Sequence, residues 1–170
     1  RVLRCFLLLL FGSHLALESS AQNRRRGPHY DRGNVPEWEL DPKFEQDCFT
    51  FVRIMYRSTV DRSSAAWWTD FPDADLNLSW RLHQLTAMKV APMPITIKIM
   101  DEEIFRYPFL FMSGVPTMML GDDEIDQLRR YLLGGGFIMV DDFWGEQHWD
   151  EFEDEMLKRV FPDRRWEELS

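Results

Sequence analysis

The stretch from Tyr107 to Trp144 most restricts what this chain can become. FLFMS (109–113) is an apolar run, and GDDEIDQLRRYLL (121–133) follows with the period of an amphipathic helix. Gly134-Gly135-Gly136 closes that helix, FIMV (137–140) is a second apolar run, and Asp141-Asp142-Phe143-Trp144-Gly145 comes directly after it. Strand, helix and strand in so short a span make a βαβ unit, whose strands run parallel. Continuous apolar strands of this kind are expected to be buried on both faces. Two acids then stand at the carboxyl end of a buried strand, the edge where open α/β sheets bind ligands.

The rest of the chain supplies partners for that unit. FTFVRIMY (49–56) is rich in β-branched and aromatic residues and reads as the first strand. Arg53 interrupts it, and a buried arginine there requires an acid or a carbonyl partner. Residues 57–75 show no period and read as a long loop, which Trp67 and Trp68 argue is ordered. Asp75 is expected to cap a helix with Leu78, Leu82, Leu85 and Met88 at helical spacing, ended by Pro92 and Pro94. ITIKIM (95–100) alternates like a half-exposed edge strand. The helix after Gly121 carries acids in its first turn and Arg129-Arg130 in its last, as the helix dipole favours. Its buried stripe is predicted as Ile125, Leu128 and Leu132, with Gly134 as its left-handed cap. A last helix starts near Glu146, places Trp149, Phe152, Met156 and Val160 on one face, and stops at Pro162. Alternating strands and helices predict a three-layer α/β sandwich with a mainly parallel sheet, one domain over residues 35–170. With four strands found and another due after the last helix, the sequence reads as incomplete at its C-terminal end.

The first residues have a different character. Arg1 and Arg4 precede the apolar CFLLLLF (5–11), and Ser19-Ser20-Ala21 offers a small-residue cleavage site. Residues 1–21 are therefore expected to be a signal peptide, and the protein exported to the periplasm or secreted. Residues 22–34, with Arg24-Arg25-Arg26 among Gly, Pro and polar residues, read as a flexible basic tail. The chain has 20 basic and 29 acidic residues, a formal net charge of −9. Such a balance argues against a nucleic-acid partner. Once the leader is cut, the apolar run goes with it and no membrane span is expected. Cys48 is then the sole cysteine, so no internal disulfide can form.

WWTDFPDADLNLSWRL (67–82), YPFLFMSG (107–114), LRRYLLGGGFIMVDDFWG (128–145) and FEDEMLKRVFP (152–162) together resemble the bacterial domain of unknown function family 4159. The resemblance covers roughly Phe49 to Pro162. It implies a class I glutamine amidotransferase-like fold, with a flavodoxin-like or Rossmann-type topology, and a chain that continues further. It implies no reaction. An amidotransferase needs a cysteine on the turn after a strand. The matching turn, Phe111-Met112-Ser113-Gly114, has none, and Cys48 precedes the first strand, so that activity is not expected.

The residues themselves yield a candidate site at the carboxyl edge of the sheet. Asp141, Asp142, Phe143 and Trp144 are expected to form one wall. Trp68, Asp70 and Asn77 form another, Arg53 or Arg57 comes from the end of the first strand, and Ser113 and Gly114 come from the turn between. Of the adjacent aspartates, one is expected to face a ligand and the other to cap the next helix. Their oxygens suit a hard cation, but no metal-binding motif is present, and neither metal nor cofactor is predicted. Asp70, Asp73 and Asp75 lack the glycine and glutamate of a calcium loop. Ser113 lacks the flanking glycines of a nucleophile elbow. Gly134-Gly135-Gly136 enters a strand rather than a helix, so it is no phosphate loop. His148 is a candidate base or ligand, but a lone helical histidine is more often a surface or packing residue. His83 has a weaker claim, and His29 lies in the tail. Three functions follow as expectations. The first is a non-catalytic domain of the bacterial cell envelope that binds a small molecule or an envelope protein. The second is a hydrolase using Asp141 or Asp142 with His148, with or without a divalent metal. The third is a scaffold whose site is vestigial.

Overall fold

Four parallel strands form the sheet: β1 (Val52–Met55), β3 (Ile95–Lys98), β4 (Phe109–Ser113) and β6 (Phe137–Asp141). Their order across it is β3-β1-β4-β6. The computed structural model describes residues 31–59 and 66–168. The expected signal peptide and most of the tail lie outside the described residues, and so does part of the 57–75 loop. Residues Arg32–Ser170 make one unit. Arg32 already belongs to it: its guanidinium donates to the Pro92 and Pro36 carbonyls and stands 5.1 Å over the Trp38 ring. Arg32, expected in the tail, therefore packs with the residues of the domain. Among the described residues no helix is long and apolar enough to cross a membrane.

Side chains alternate across the sheet and separate two layers. Val52, Ile54, Leu110 and Met112 point to one face, where they meet α2 (Asp122–Leu133), α3 (Glu146–Phe152) and the short turn Glu102–Arg106. From those elements Ile104, Ile125, Leu128, Phe152, Met156 and Val160 complete a single apolar core. Helix α3 continues through a π-helical turn, Glu153–Leu157, into Lys158–Val160. Arg159 fastens this last segment to the start of α2, donating to the Leu120 carbonyl at 3.0 Å and to Asp122 at 2.9 Å. On the other face Phe51, Arg53, Phe109 and Phe111 lie under α1 (Asp73–Leu85) and the turn Ala66–Trp68. The result is the expected three-layer α/β sandwich.

Three local expectations change. Helix α1 begins at Asp73, so Asp75 sits inside its first turn and does not cap it. The buried positions of α1 are Asp75, Leu76 and Ser79, whereas Leu85 is 78% exposed. The Arg53–Asp75 pair turns this face to the sheet, which the leucine period alone could not reveal. The helix-ending glycine in left-handed space is Gly135 (φ 96°), not Gly134 (φ −76°). Gly135 N–H reaches the Leu132 carbonyl and Gly136 N–H the Tyr131 carbonyl, the two bonds of a Schellman motif. Finally, among the described residues β6 is an outer strand of the sheet, with Phe137 and Met139 exposed. Ile138 and Val140 pack against the core on one face, and among the described residues nothing covers Phe137 and Met139 on the other.

The Tyr131 hydroxyl donates to the carbonyls of Tyr107 (2.9 Å) and Phe137 (3.3 Å), tying α2 to the starts of β4 and β6. Burial pushes its pKa up to about 12, partly opposed by the Phe137 bond. Tyr56 is pushed up as well, first by burial and then by the nearby charge of Asp142. A raised folded-state value means that the unfolded chain loses these protons first. The stabilisation is complete below pH 10, the ordinary tyrosine value, and disappears as pH climbs through 12. Thermal unfolding followed from pH 8 upward should therefore show Tm falling steeply above pH 10. Tyr131→Phe should lower Tm at neutral pH and flatten that fall.

Candidate functional site

The order β3-β1-β4-β6 reverses direction between β1 and β4, and that switch is where a doubly wound sheet opens its ligand crevice. Here the chain closes it. Beyond β1, residues Arg57–Ser58 form β2. Beyond β4 and the turn Val115–Thr117, residues Met118–Met119 form β5. The two pair antiparallel, Arg57 with Met119 and Ser58 with Met118, and bridge the gap. Ser58 and Thr117 hydroxyls bond at 2.8 Å, and Thr59 N–H reaches the Thr117 carbonyl at 2.8 Å. Underneath, the Tyr56 hydroxyl donates to the Ser113 carbonyl. Gly114, left-handed at φ 65°, lies so close to Ala66 that a Cβ would stand 2.4 Å from the Ala66 Cβ. Tyr56, Ser58 and Thr117 were not singled out from the sequence. Two-residue strands leave almost no periodic signal, and only the reversed strand order shows what they cover.

The candidate residues divide accordingly. Arg53 is fully buried and cannot meet a ligand: it holds Asp75 in a forked pair at 2.6–3.2 Å and donates to the Trp67 and Thr69 carbonyls. Phe111 and Phe71 lie 4.7 and 5.5 Å from the guanidinium carbon. Burial pushes the Asp75 carboxyl above its usual range, against the pull of Arg53. Arg57 is exposed on β2 and pairs with Glu124 at 3.2 Å. Trp68 packs on Phe71 and Trp67, fixing the loop to the body. Asp70 takes a left-handed backbone (φ 56°) just before α1. Asn77 donates to the Asp73 carbonyl and lines a groove of about 470 Å³ with Arg32, Trp80 and Arg81. His83 is stacked on Trp38 at 5.1 Å, a packing role. Phe143 turns inward against Trp149 and Phe152.

What remains at the carboxyl ends of β4 and β6 is a compact group. Register sets Ser113 beside Asp141. Asp141 accepts the Asp142 N–H at 2.8 Å, so it braces its neighbour. Asp142 is left-handed (φ 75°), a strained choice for a residue with a side chain. Its carboxylate accepts the Trp144 indole N–H at 2.7 Å, and the Trp144 backbone N–H donates to His148 Nδ1 at 3.0 Å. Neither aspartate caps α3, whose N-cap is Gly145 with no side-chain bond. Trp144 remains 74% exposed. The arrangement is an open ledge with carboxylates, an indole face and an imidazole. Among the described residues no three His, Cys, Asp or Glu side chains converge to hold a metal. A cavity of about 840 Å³ lies elsewhere, along the end of α3 between Lys158, Phe161, Arg164 and Trp166. Cys48 stands before β1, at the opposite edge from the ledge.

No curated protein matches this chain. The family model described as Domain of unknown function (DUF4159) matches residues 50–170, from just before β1 through every element of the ledge, and the chain belongs to that family.

Proposed function

We propose that this is an exported, non-catalytic binding domain of the bacterial cell envelope, with its site on the ledge at Asp141, Asp142 and Trp144. The observation that carries the reading is Asp142. Its strained backbone, its neighbour's brace and its indole partner hold a carboxylate beside an exposed aromatic face. Such a pairing suits a ligand with a positive or polar group on an apolar body. The hydrolase reading has less support. Ser113 is buried, Nδ1 of His148 accepts a backbone N–H, and both aspartates accept from the ledge itself. The glutamine amidotransferase-like relationship is supported by the all-parallel sheet and applies to architecture alone.

The test is thermal unfolding with amines, sugars, peptidoglycan fragments, nucleotides and divalent cations, beside Asp142→Asn. A ligand at a hundredfold excess over its Kd stabilises the protein by about 2.7 kcal/mol, a Tm rise of several degrees. That rise should disappear in Asp142→Asn. Turnover of a chromogenic ester or phosphate that Asp142→Asn abolishes would replace this reading with the hydrolase.

A further inference from the structure

The outer face of α1 forms one wall of the groove that Asn77 lines. Asp73, Asn77, Trp80 and Arg81 recur at i, i+4, i+7 and i+8, which sets them in one stripe. The opposite wall is the segment 32–36, where Gly33 turns the chain in left-handed space (φ 53°) and Val35 N–H closes on the Arg32 carbonyl at 3.0 Å. The space between them is about 470 Å³, inside the roughly 300–1,000 Å³ of small-molecule sites. Both walls are fixed. Trp80 packs against Trp38 and His83 at 5.4 and 5.6 Å, and Arg32 is held by the Pro92 and Pro36 carbonyls. Asn77 gives one N–H to the Asp73 carbonyl, which leaves its other N–H and its oxygen for a ligand. Among the described residues Arg81 bonds only Gln84, and Asp73 is in no ion pair. Eight residues apart, these two charges stand about 12 Å from each other along the helix, too far to pair. The groove is on the β3 side of α1, because Arg32 and Trp38 reach Pro92 and Val90, which lead into β3. Strand β6 is at the other end of the sheet.

We infer that this groove binds an acidic disaccharide, with a carboxylate on one ring and a neutral ring beside it. The apolar C–H face of one ring would lie on the Trp80 indole. The carboxylate would take the Arg81 guanidinium, whose paired N–H groups match both oxygens. Hydroxyls of the second ring would donate to Asp73 and exchange bonds with Asn77. Charge favours an acidic ligand over a basic one. The chain carries −9 overall, yet Arg32 and Arg81 line this groove against Asp73 alone, and Arg24-Arg25-Arg26 precede it in sequence. A simple inorganic anion would leave the indole and Asp73 unused. The groove shares no residue with the ledge, and its reading does not depend on what the ledge binds.

The experiment is calorimetric titration of the protein with a glucuronate–N-acetylglucosamine disaccharide, beside the neutral diacetylchitobiose and tripolyphosphate. Saturable binding of the acidic disaccharide is expected, about tenfold or more tighter than that of the neutral one. Arg81→Gln, at an exposed position, should remove that preference and leave Tm within about 2 °C. Trp80→Ala should weaken both sugars about fivefold or more. Asp142→Asn should change neither. Tripolyphosphate bound as tightly as the acidic disaccharide would overturn the inference in favour of a plain anion site. Binding lost when Arg24, Arg25 and Arg26 are replaced by serine, but kept in Arg81→Gln, would overturn it by placing the ligand on the basic tail. Binding lost in Asp142→Asn would overturn it by placing the ligand on the ledge. A cooperatively folded protein that binds neither sugar would overturn it too, and would leave the ledge reading untouched.

Discussion

Asp75→Ala should lower the unfolding free energy by about 3–5 kcal/mol, because it leaves the Arg53 charge buried with no counter-charge. Both side chains are fully buried, and the guanidinium cannot reach water without moving α1 off the sheet. The Trp67 and Thr69 carbonyls still accept from it, and the Phe111 and Phe71 rings still face it, but none of these carries a negative charge. A domain stabilised by roughly 5–15 kcal/mol loses a large share of its margin. Urea unfolding followed by circular dichroism should show the midpoint falling at nearly constant slope. The double variant Arg53→Met with Asp75→Leu should lose less than Asp75→Ala, since no charge is then stranded. It should not regain full stability, because the Trp67 and Thr69 carbonyls lose their donor. A loss under about 1 kcal/mol for Asp75→Ala is the size expected of an exposed pair and would contradict the buried geometry.

That pair also shows how far the sequence could be read. Arg53 between Val52 and Ile54 announced a buried cation in need of an acid or a carbonyl, and it has both. Which acid it takes was hidden, because Asp70, Asp73 and Asp75 all stand near the start of α1 and only the helix phase separates them. The same ambiguity misplaced the buried face of α1. The α2 dipole pattern and the α3 stripe were legible since each extends over several helical turns, and the parallel strands since short apolar runs alternate with helices along the chain. Features made by chain crossing were not. The ribbon of β2 and β5 spans two residues on each side, and the exposure of Phe137 and Met139 depends on what lies beside β6, not on its own apolar residues. At the ledge, the positions of Asp141, Asp142 and Trp144 could be read. The indole-to-carboxylate bond could not, because it needs Asp142 in left-handed space, where sequence gives aspartate little preference over any turn.

Gly114→Ala should be the most damaging small substitution at the carboxyl edge, costing about 2–5 kcal/mol. Two effects combine. A side chain at φ 65° costs about 1–2 kcal/mol. Crowding adds about 1–3 kcal/mol, because the new Cβ would lie 2.4 Å from the Ala66 Cβ and 2.8 Å from the Ala66 carbonyl oxygen. The oxygen belongs to the backbone, so no rotamer change relieves it. Gly135→Ala separates the terms: its φ of 96° is also left-handed, but nothing lies within 4 Å of the added carbon, so only the backbone cost applies. Gly114→Ala with Ala66→Gly should recover part of the loss, since one clash goes and the carbonyl clash remains. The consequence reaches the interior, because the Ala66–Trp68 turn carries the Trp67 carbonyl that Arg53 holds. Displacing the turn loosens that bond and shifts Trp67 and Trp68 against Phe71. Tryptophan emission should therefore change in Gly114→Ala even where the fold survives, and not in Gly135→Ala. Equal losses in the two variants would mean that Ala66 does not press on Gly114 and that the switch between β1 and β4 is open.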